Sequence, residues 1–496
     1  VDRDLERRPF RLGVAGAAAG VAAFLLAQLH AWPPHEDETL ALFVADQPLG
    51  DLFDTVLGDR GGAPLHYLFV HALAYVSPTL TGLRLISVVF AVASIPVAAA
   101  LAARLADRRT ALVATVLLAA SWVTLFHGVY GRMYSLFLFS SALSFLLLLR
   151  ALAGGSPWRW ALWALAAYAT LATHQYGAFV LAAQTLHVLA LRLRLRRDVG
   201  VLPGAVALAA VGLAAIPLWR SNLVLASRFE LGLSGGRSGN SVPVLEYLRQ
   251  ATGDFVVGWT PLFALVAAVA AYGLVLLARR RPEAALLAAL TVAVPAAGLA
   301  IARVGGSISA PETRHLIFVL PFFALLVAAG LLRLACAAGQ RTPALLAVAV
   351  AALVATEIAW GWRQTPALYA DEPPLREAAR RAAATWLSST SRPTDVLFGF
   401  DPLYLAARER GAELETAVVP RADPALALDA LADAGQPLGR GVWVLDASEG
   451  VRIVGNRLER LSVAERSPGS GYEAKVFGPF LVVRTLRPTL TPSGFL

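Results

Sequence analysis

The chain has 496 residues, 57% of them hydrophobic and only 16% charged, and its mean hydropathy of +0.61 excludes a soluble globular protein. Its formal net charge of +9 is carried almost wholly by arginine, Lys475 being the only lysine. With no basic patch interleaved with aromatics, this reads as charge flanking membrane spans and excludes a nucleic-acid surface. The single Cys336 excludes an intramolecular disulfide and any cysteine-based metal site.

A span needs roughly 20 apolar residues to cross the hydrocarbon. The composition therefore predicts an α-helical polytopic membrane protein with about eleven transmembrane helices. The first apolar segment, 10–30, follows Arg3, Arg7 and Arg8 and has Arg11 at its start; it is long for a secretory signal and is read as an uncleaved span. Directly after it comes the acidic stretch Pro33-Pro34-His35-Glu36-Asp37-Glu38-Thr39, where a short helix is predicted over 37–45. Segment 64–77 (PLHYLFVHALAYVS) is apolar but too short to span and is closed by Pro78, so it is expected to lie at the interface.

The remaining spans are expected near 81–104, 110–127, 133–152, 158–173, 177–192, 200–218, 254–277, 283–303, 314–334 and 343–361. Alternate loops then hold Arg104, Arg108 and Arg109; Arg150 and Arg159; Arg192, Arg194, Arg196 and Arg197; Arg279, Arg280 and Arg281; and Arg333 and Arg341. Positive charge marks these loops and the N-terminus as cytoplasmic. The outer face receives 31–80, 128–132, 174–176, 219–253, 304–313 and everything after residue 361. Within 219–253, a Gly/Ser tract (232–240) precedes an amphipathic stretch (242–250), a pattern that suits either a lid or a plain surface loop.

The expected organisation is a transmembrane domain, 1–364, with its first outer loop at 31–80, and an extracytoplasmic α/β domain, 365–496. In the latter, 375–388 has helical periodicity, DVLFGF (395–400) and GVWVLD (441–446) read as strands, 424–434 as a helix, and 477–486 as one or two strands. Asp401 either lines a crevice after a strand or caps the next helix.

Among residues able to do chemistry, Asp37 and Glu38 come first. Carboxylates opening a helix also favour its N-terminal dipole, so the structural and catalytic readings are both open. Leu40, Phe43 and Val44 are placed to press that helix on the membrane and leave the acids facing a cavity. Arg132, between Tyr130 and Tyr134, and Arg314, before His315, head spans that begin outside. Either arginine alone suits snorkelling; together, against the inside-positive bias, they suit a phosphate, which guanidinium binds as a fork. His174, in Thr173-His174-Gln175-Tyr176, occupies another outer turn, where a lone histidine is usually structural. The tryptophans 158, 160, 219, 259, 360 and 362 fit an interfacial belt.

These residues resemble the polyprenyl-phosphate-dependent glycosyltransferases of the C-type membrane superfamily (GT-C), which includes protein O-mannosyltransferases and the lipid A aminoarabinose transferase. The resemblance covers roughly the first 330 residues. It is carried by Asp37-Glu38, Pro64-Leu65-His66-Tyr67, Arg132-Met133-Tyr134, Thr173-His174 and Arg314, and by their order. It implies interfacial helices in the first loop and an inverting transfer with Asp37 as base, Glu38 beside it. It further implies donor-phosphate binding by Arg132, Tyr134 and Arg314, and substrate contacts from His66, Tyr67 and His174. Some relatives carry a further acid in the outer turn before the fourth span; here His127-Gly128-Val129-Tyr130-Gly131-Arg132 has none, so no metal and no cofactor is expected.

The sequence thus reads as a glycosyltransferase that moves a mannose- or arabinose-type sugar from a polyprenyl monophosphate to an extracytoplasmic glycan, lipid or protein. A transporter or lipid flippase is the alternative, since such proteins also hold ionisable groups among their spans. The Arg- and Ala-rich, nearly lysine-free composition points to a GC-rich bacterial genome and hence to a bacterial plasma membrane.

Overall fold

The computed structural model describes residues 7–30, 36–59, 61–76, 79–193, 201–230, 243–256, 260–305, 312–337, 339–368, 373–392, 395–398, 417–419, 440–446, 451–454, 457–460, 471–478 and 480–487. The chain forms two compact units: 1–29 with 45–362, and 30–44 with 363–496. The Gly/Ser tract 232–240, the helix expected at 424–434 and Asp401 lie outside the described residues.

The first unit is a helical membrane bundle. Its helices are α1 (Arg7–Gln28), α3 (Leu49–Phe53), α4 (Leu65–Ala74), α5 (Leu80–Leu105), α6 (Arg108–Ala120), α7 (Trp122–Val129), α8 (Tyr134–Gly154), α9 (Pro157–Leu171), α10 (Gly177–Leu193), α11 (Val201–Ala214), α12 (Ile216–Glu230), α13 (Val244–Ala251), α14 (Thr260–Arg280), α15 (Pro282–Val304), α16 (Leu320–Cys336) and α17 (Thr342–Leu368). The label α2 is kept for Glu36–Asp46. Among the described residues, six helices are long and apolar enough to cross a membrane. The bent pairs α6/α7 and α11/α12 raise this to eight.

Over its described residues every segment expected to span is mainly helical, but the expected count of about eleven exceeds the six to eight found among the described residues. The physical reason is length. At 1.5 Å per residue, α9 rises only about 22 Å and α10 about 25 Å, short of a hydrocarbon core of about 30 Å. The apolar run through α9 continues into Ala172 and Thr173, but those residues turn the chain instead of extending the helix. Helix α4, as expected, has only ten residues and cannot span.

Local chemistry sets the helix ends. Thr79 Oγ1 accepts the Gly82 N–H at 3.1 Å, and Asp107 Oδ1 accepts the Thr110 N–H at 3.0 Å, capping α5 and α6. The 52° bend between α6 and α7 falls at Ser121, whose extended backbone (ψ 131°) interrupts the helix. There the Glu357 carboxylate on α17 accepts the Trp122 N–H at 2.9 Å, supplying the partner that the break removed. The 49° bend between α11 and α12 precedes Pro217, which has no N–H to continue the ladder.

Without a hydrophobic drive between spans, close packing and polar contacts hold the bundle. A Cβ on Gly273 would lie 1.9 Å from the Leu326 carbonyl oxygen, and one on Gly330 would lie 2.3 Å from that of Val269, so α14 and α16 touch backbone to backbone. Trp160, Trp163, Leu148, Leu171, Val211 and Leu218 join α8, α9, α11 and α12 in one buried cluster. Beside it the Trp163 Nε1–H donates to Gln184 Oε1 at 2.8 Å, and Gln184 Nε2 donates to Ser144 Oγ.

The second unit carries a five-stranded sheet of order β2-β1-β3-β7-β6. Its strands are β1 (Val396–Phe398), β2 (Ala417–Val419), β3 (Gly441–Asp446), β6 (Tyr472–Phe477) and β7 (Phe480–Thr485). A separate hairpin is formed by β4 (Val451–Val454) and β5 (Arg457–Arg460). Strands β2, β1 and β3 are parallel; β7 is antiparallel to both β3 and β6. Helix α18 (Pro373–Thr390) packs Ala383, Ala384 and Leu387 inward. Buried Asp395 takes Arg440 in a fork (2.9 and 2.7 Å), and Arg440 also donates to the Thr390 carbonyl at 3.1 Å, tying the end of α18 to β3. The strands expected at 441–446 and 395–400 are present as β3 and β1, and the expected 477–486 strand is the second arm of the β6/β7 hairpin.

Candidate functional site

One short turn organises the chemistry of the bundle. Helix α7 ends at Tyr130, and Gly131-Arg132-Met133 turns the chain into α8. The turn is tight: the Arg132 N–H donates to the Tyr130 carbonyl at 2.7 Å. Ser87 on α5 stitches it from the side, its hydroxyl lying 2.9 Å from the Tyr130 carbonyl and 3.3 Å from that of Arg132. Ser135 donates to the His127 carbonyl at 2.6 Å. Arg132 is thereby fixed at the head of α8, beside Tyr134.

A second turn, between α9 and α10, brings His174. The Tyr176 N–H donates to His174 Nδ1 at 3.0 Å, so that nitrogen is bare and the imidazole carries its proton on Nε2. Only glycine fits at 177, where a Cβ would come within 2.8 Å of the Thr170 carbonyl oxygen. The Leu65 N–H, at the start of α4, donates to the Ala172 carbonyl at 2.8 Å, which brings His66 to the same end of the bundle. A third element, the 3-10 turn Thr313–Val319, carries Arg314 and His315.

These turns converge on Tyr134. Its ring lies 4.8 Å from that of His127, 6.0 Å from His174, 6.0 Å from His315, and stacks nearly parallel to Tyr130 at 6.4 Å. The Arg314 guanidinium sits 5.5 Å over the same ring. His174 and His315 are 5.2 Å apart, and His315 meets Tyr176 at 5.4 Å. Arg314 also pairs with Glu312, donating from Nη2 to Oε1 at 2.9 Å.

His66 is buried beside the Gly131-Arg132 turn, near enough to feel both, although neither ring nitrogen has a hydrogen bond of good geometry. Tyr67, half-buried, stands edge-on to it at 6.0 Å. Burial first, and the Arg132 charge second, hold the His66 imidazole down at about 3. Burial, then Arg314 and Arg132, hold His174 at about 3 as well. Burial pushes the Tyr176 hydroxyl well above its ordinary value. Both of these histidines are therefore neutral at physiological pH. The fixed positive charge comes from Arg132 and Arg314, and the rings lend hydrogen-bonding edges without competing charge. Among the described residues, no group of three or more His, Cys, Asp or Glu side chains is arranged to hold a metal ion.

The expected residues Arg132, Tyr134, Arg314, His66, Tyr67 and His174 thus fall at one end of the bundle. Asp37 and Glu38 lie in the first turn of α2, on the segment that belongs to the second unit; Asp37 is half-buried and Glu38 fully buried. The sequence reading gave no role to His127 and noted His315 only as the neighbour of Arg314. A signal was present: of eight histidines in the chain, 66, 127, 174 and 315 stand at the ends of apolar segments, each near an aromatic residue.

No protein-family profile and no curated protein matches the sequence. Solved structures do match the fold. ArnT from Cupriavidus metallidurans bound to undecaprenyl phosphate is 15% identical, with a TM-score of 0.59 over 95% of this chain and 97% of that one. The Archaeoglobus fulgidus oligosaccharyltransferase in complex with zinc and sulfate is 13% identical, with a TM-score of 0.54 over 87% of this chain and 68% of that one. AglB from the same archaeon, in complex with an inhibitory peptide and a dolichol-phosphate, has a TM-score of 0.52 at 12% identity, over 88% of this chain and 69% of that one. The chain shares the fold of these structures: a helical bundle with candidate membrane spans and a small C-terminal sheet-bearing region.

Proposed function

We propose that the chain is a lipid-phosphate-dependent glycosyltransferase that moves a sugar of the mannose or arabinose type from a polyprenyl monophosphate to an acceptor outside a bacterial plasma membrane. The observation that carries this reading is that Arg132 and Arg314, at the heads of two spans, both bear on the buried His174, with Arg314 over the Tyr134 ring. A phosphate is the group that such a cluster fits: two permanent cations, one held over an aromatic ring, with neutral imidazoles alongside. The polyprenyl phosphates in the ArnT and AglB structures, which share this fold, support the same donor class.

The reaction asks little of the protein. The acceptor hydroxyl attacks the anomeric carbon, the bond from that carbon to the phosphate oxygen breaks, and polyprenyl phosphate leaves as a stable anion. Asp37 takes the hydroxyl proton; Arg132 and Arg314 neutralise the charge that develops on the leaving phosphate. Glu38, His66, Tyr67 and His174 shape the surroundings of donor and acceptor. Inversion at the anomeric carbon follows from a single displacement.

Asp37→Asn tests the reading. Asparagine keeps the shape of aspartate and removes only its charge in the first turn of α2, at a cost of about 0.3–1 kcal/mol, so a purely structural Asp37 leaves the variant active. As the base, Asp37 is needed for transfer, and its loss lowers the rate by roughly 10²–10⁴-fold while donor still binds. Wild-type transfer by Asp37→Asn, with purified donor and acceptor, removes Asp37 from the chemistry.

A further inference from the structure

At the opposite end of the bundle stands a second cluster of arginines, to which the proposed transfer assigns no role. Helices α5, α8 and α10 run from the Tyr134 end to this one, and α8 alone spans about 30 Å. Where α5 and α8 end and α9 begins, a recess of about 340 Å³ is lined by Arg104, Arg150 and Arg159, with Leu147, Leu162 and Trp158. It shares Arg104 and Ala153 with a neighbouring cavity of about 610 Å³ that adds Arg280, Arg281 and His187, together with Glu283 and further leucines.

Three features mark a built site. First, among the described residues none of these five arginines pairs with a carboxylate; Arg159 Nη1 donates to the Arg150 carbonyl at 3.3 Å and Arg281 Nη1 to the Arg104 carbonyl at 2.9 Å, which fixes two guanidinium groups on backbone alone. Second, His187 is 1% exposed, lines the cavity, and its Nδ1 has no hydrogen-bond partner. Third, Arg159 crosses directly over Gly154, where a Cβ would lie 1.7 Å from Nη1. Like charges gather here in a leucine-walled hollow at the ends of membrane helices, with Trp158 exposed beside it.

We propose that this hollow binds the phosphate of an anionic phospholipid, such as phosphatidylglycerol or cardiolipin. The arginines take the phosphate oxygens, the buried His187 adds one bond, and the leucines take the first methylenes of the acyl chains. A free phosphate shares the headgroup chemistry but has no use for those leucine walls, and the end of a membrane bundle is bathed in lipid.

The test uses the purified full-length chain, delipidated in mild detergent, with its thermal midpoint followed as lipid is added. Cardiolipin and phosphatidylglycerol are expected to raise the midpoint saturably, whereas phosphatidylcholine and inorganic phosphate leave it unmoved. Arg104→Gln with Arg150→Gln should weaken the apparent cardiolipin affinity by roughly five-fold per arginine, while Arg341→Gln, an exposed arginine outside the hollow, leaves it unchanged. If the double variant does not fold, Gly154→Ala serves in its place. The new methyl displaces only the flexible end of Arg159, and it should weaken cardiolipin binding in a stable protein. Equal stabilisation by phosphatidylcholine overturns the proposal, as does a cardiolipin affinity indifferent to the hollow's variants. A variant-sensitive response to inorganic phosphate alone assigns the hollow to a free anion and overturns the lipid.

Discussion

At one end of the bundle, Arg132 and Arg314 stand among rings: Tyr134 beneath one guanidinium, buried imidazoles around both, and a serine bond holding the turn that carries Arg132. At the other end, Arg104, Arg150 and Arg159 stand in an open hollow walled by leucine, with two guanidinium groups tied only to backbone. The first cluster has few cations, one of them over an aromatic ring. The second has more, crowded at one hollow and bonded only to backbone carbonyls where they are bonded at all. A few donors among rings favour one anion in one pose; a crowded cluster favours anionic headgroups of any orientation. If the donor phosphate sits at the first end, as proposed, charge count alone ranks the two ends in the wrong order.

The comparison breaks most visibly at Arg132. Arg132→Ala is expected to lower glycosyl transfer by roughly 10²–10³-fold, the usual cost of losing one fixed donor to a developing anion. Arg132→Lys should retain part of the rate, since the charge survives while the fork is lost. Arg341→Gln, at the other end, should transfer at the wild-type rate. A full rate in Arg132→Ala, measured with purified donor, would reduce Arg132 to a snorkelling cation.

Next in size is the scaffold common to both ends. Gly330→Ala places a methyl 2.3 Å from the Val269 carbonyl oxygen, and that neighbour is backbone, which cannot swing away. The helices must separate, at a cost of about 1–3 kcal/mol, seen as a lower thermal midpoint in detergent. Gly16→Ala, on α1 with nothing within 4 Å, is the matched control and should not lower it. Equal midpoints for the two variants would mean that α14 and α16 are not held as close as their backbones lie here.

Much of this was legible in the sequence, for reasons that can be named. Apolar runs bounded by arginine gave the bundle its spans, and the shortness of 64–77 separated α4 from them. GVWVLD reads as a short β-rich run, and β3 is that strand. The breaks were not legible, because Ser121 and Ala215 interrupt sequences that stay apolar throughout and hydropathy does not register a bend. Glu357 drew no reading, since its function is to accept one N–H from a helix more than 200 residues away in sequence. The gathering of His127, His174 and His315 on Tyr134 is likewise tertiary: each lies on a separate turn, and only packing reveals that the turns meet.

The ends should also differ in their response to acid. Arginine does not titrate in any working range, whereas His66 and His174, held at about 3, take up protons in the unfolded chain near 6.5 and in the folded chain only near 3. Between those values the unfolded state binds more protons, so stability falls as pH falls, by about 1.4 kcal/mol per pH unit for each imidazole. Above 6.5 neither contributes. Thermal midpoints from pH 7.5 to 4.5 should therefore decline, and His66→Phe should flatten the decline. An unchanged slope in that variant would mean that His66 protonates as readily folded as unfolded.

The smallest expected effect is the most discriminating about Arg314. Its guanidinium is engaged by Glu312, which is 59% exposed, so the pair contributes only about 0–1 kcal/mol to stability and Glu312→Gln should leave the midpoint nearly unchanged. Its effect on donor use depends on what Arg314 does. If Arg314 receives the donor phosphate, Glu312 competes with that phosphate for the same two nitrogens. Removing its charge should then lower the donor KM, with kcat unchanged. The expected change is roughly two- to five-fold, the size of a partly screened charge pair. If Glu312 instead serves to hold Arg314 over Tyr134, the guanidinium loses its anchor in Glu312→Gln and the donor KM rises. Steady-state kinetics at saturating acceptor separates the two by sign alone, and an unchanged KM would leave Arg132 as the principal phosphate ligand of the pair.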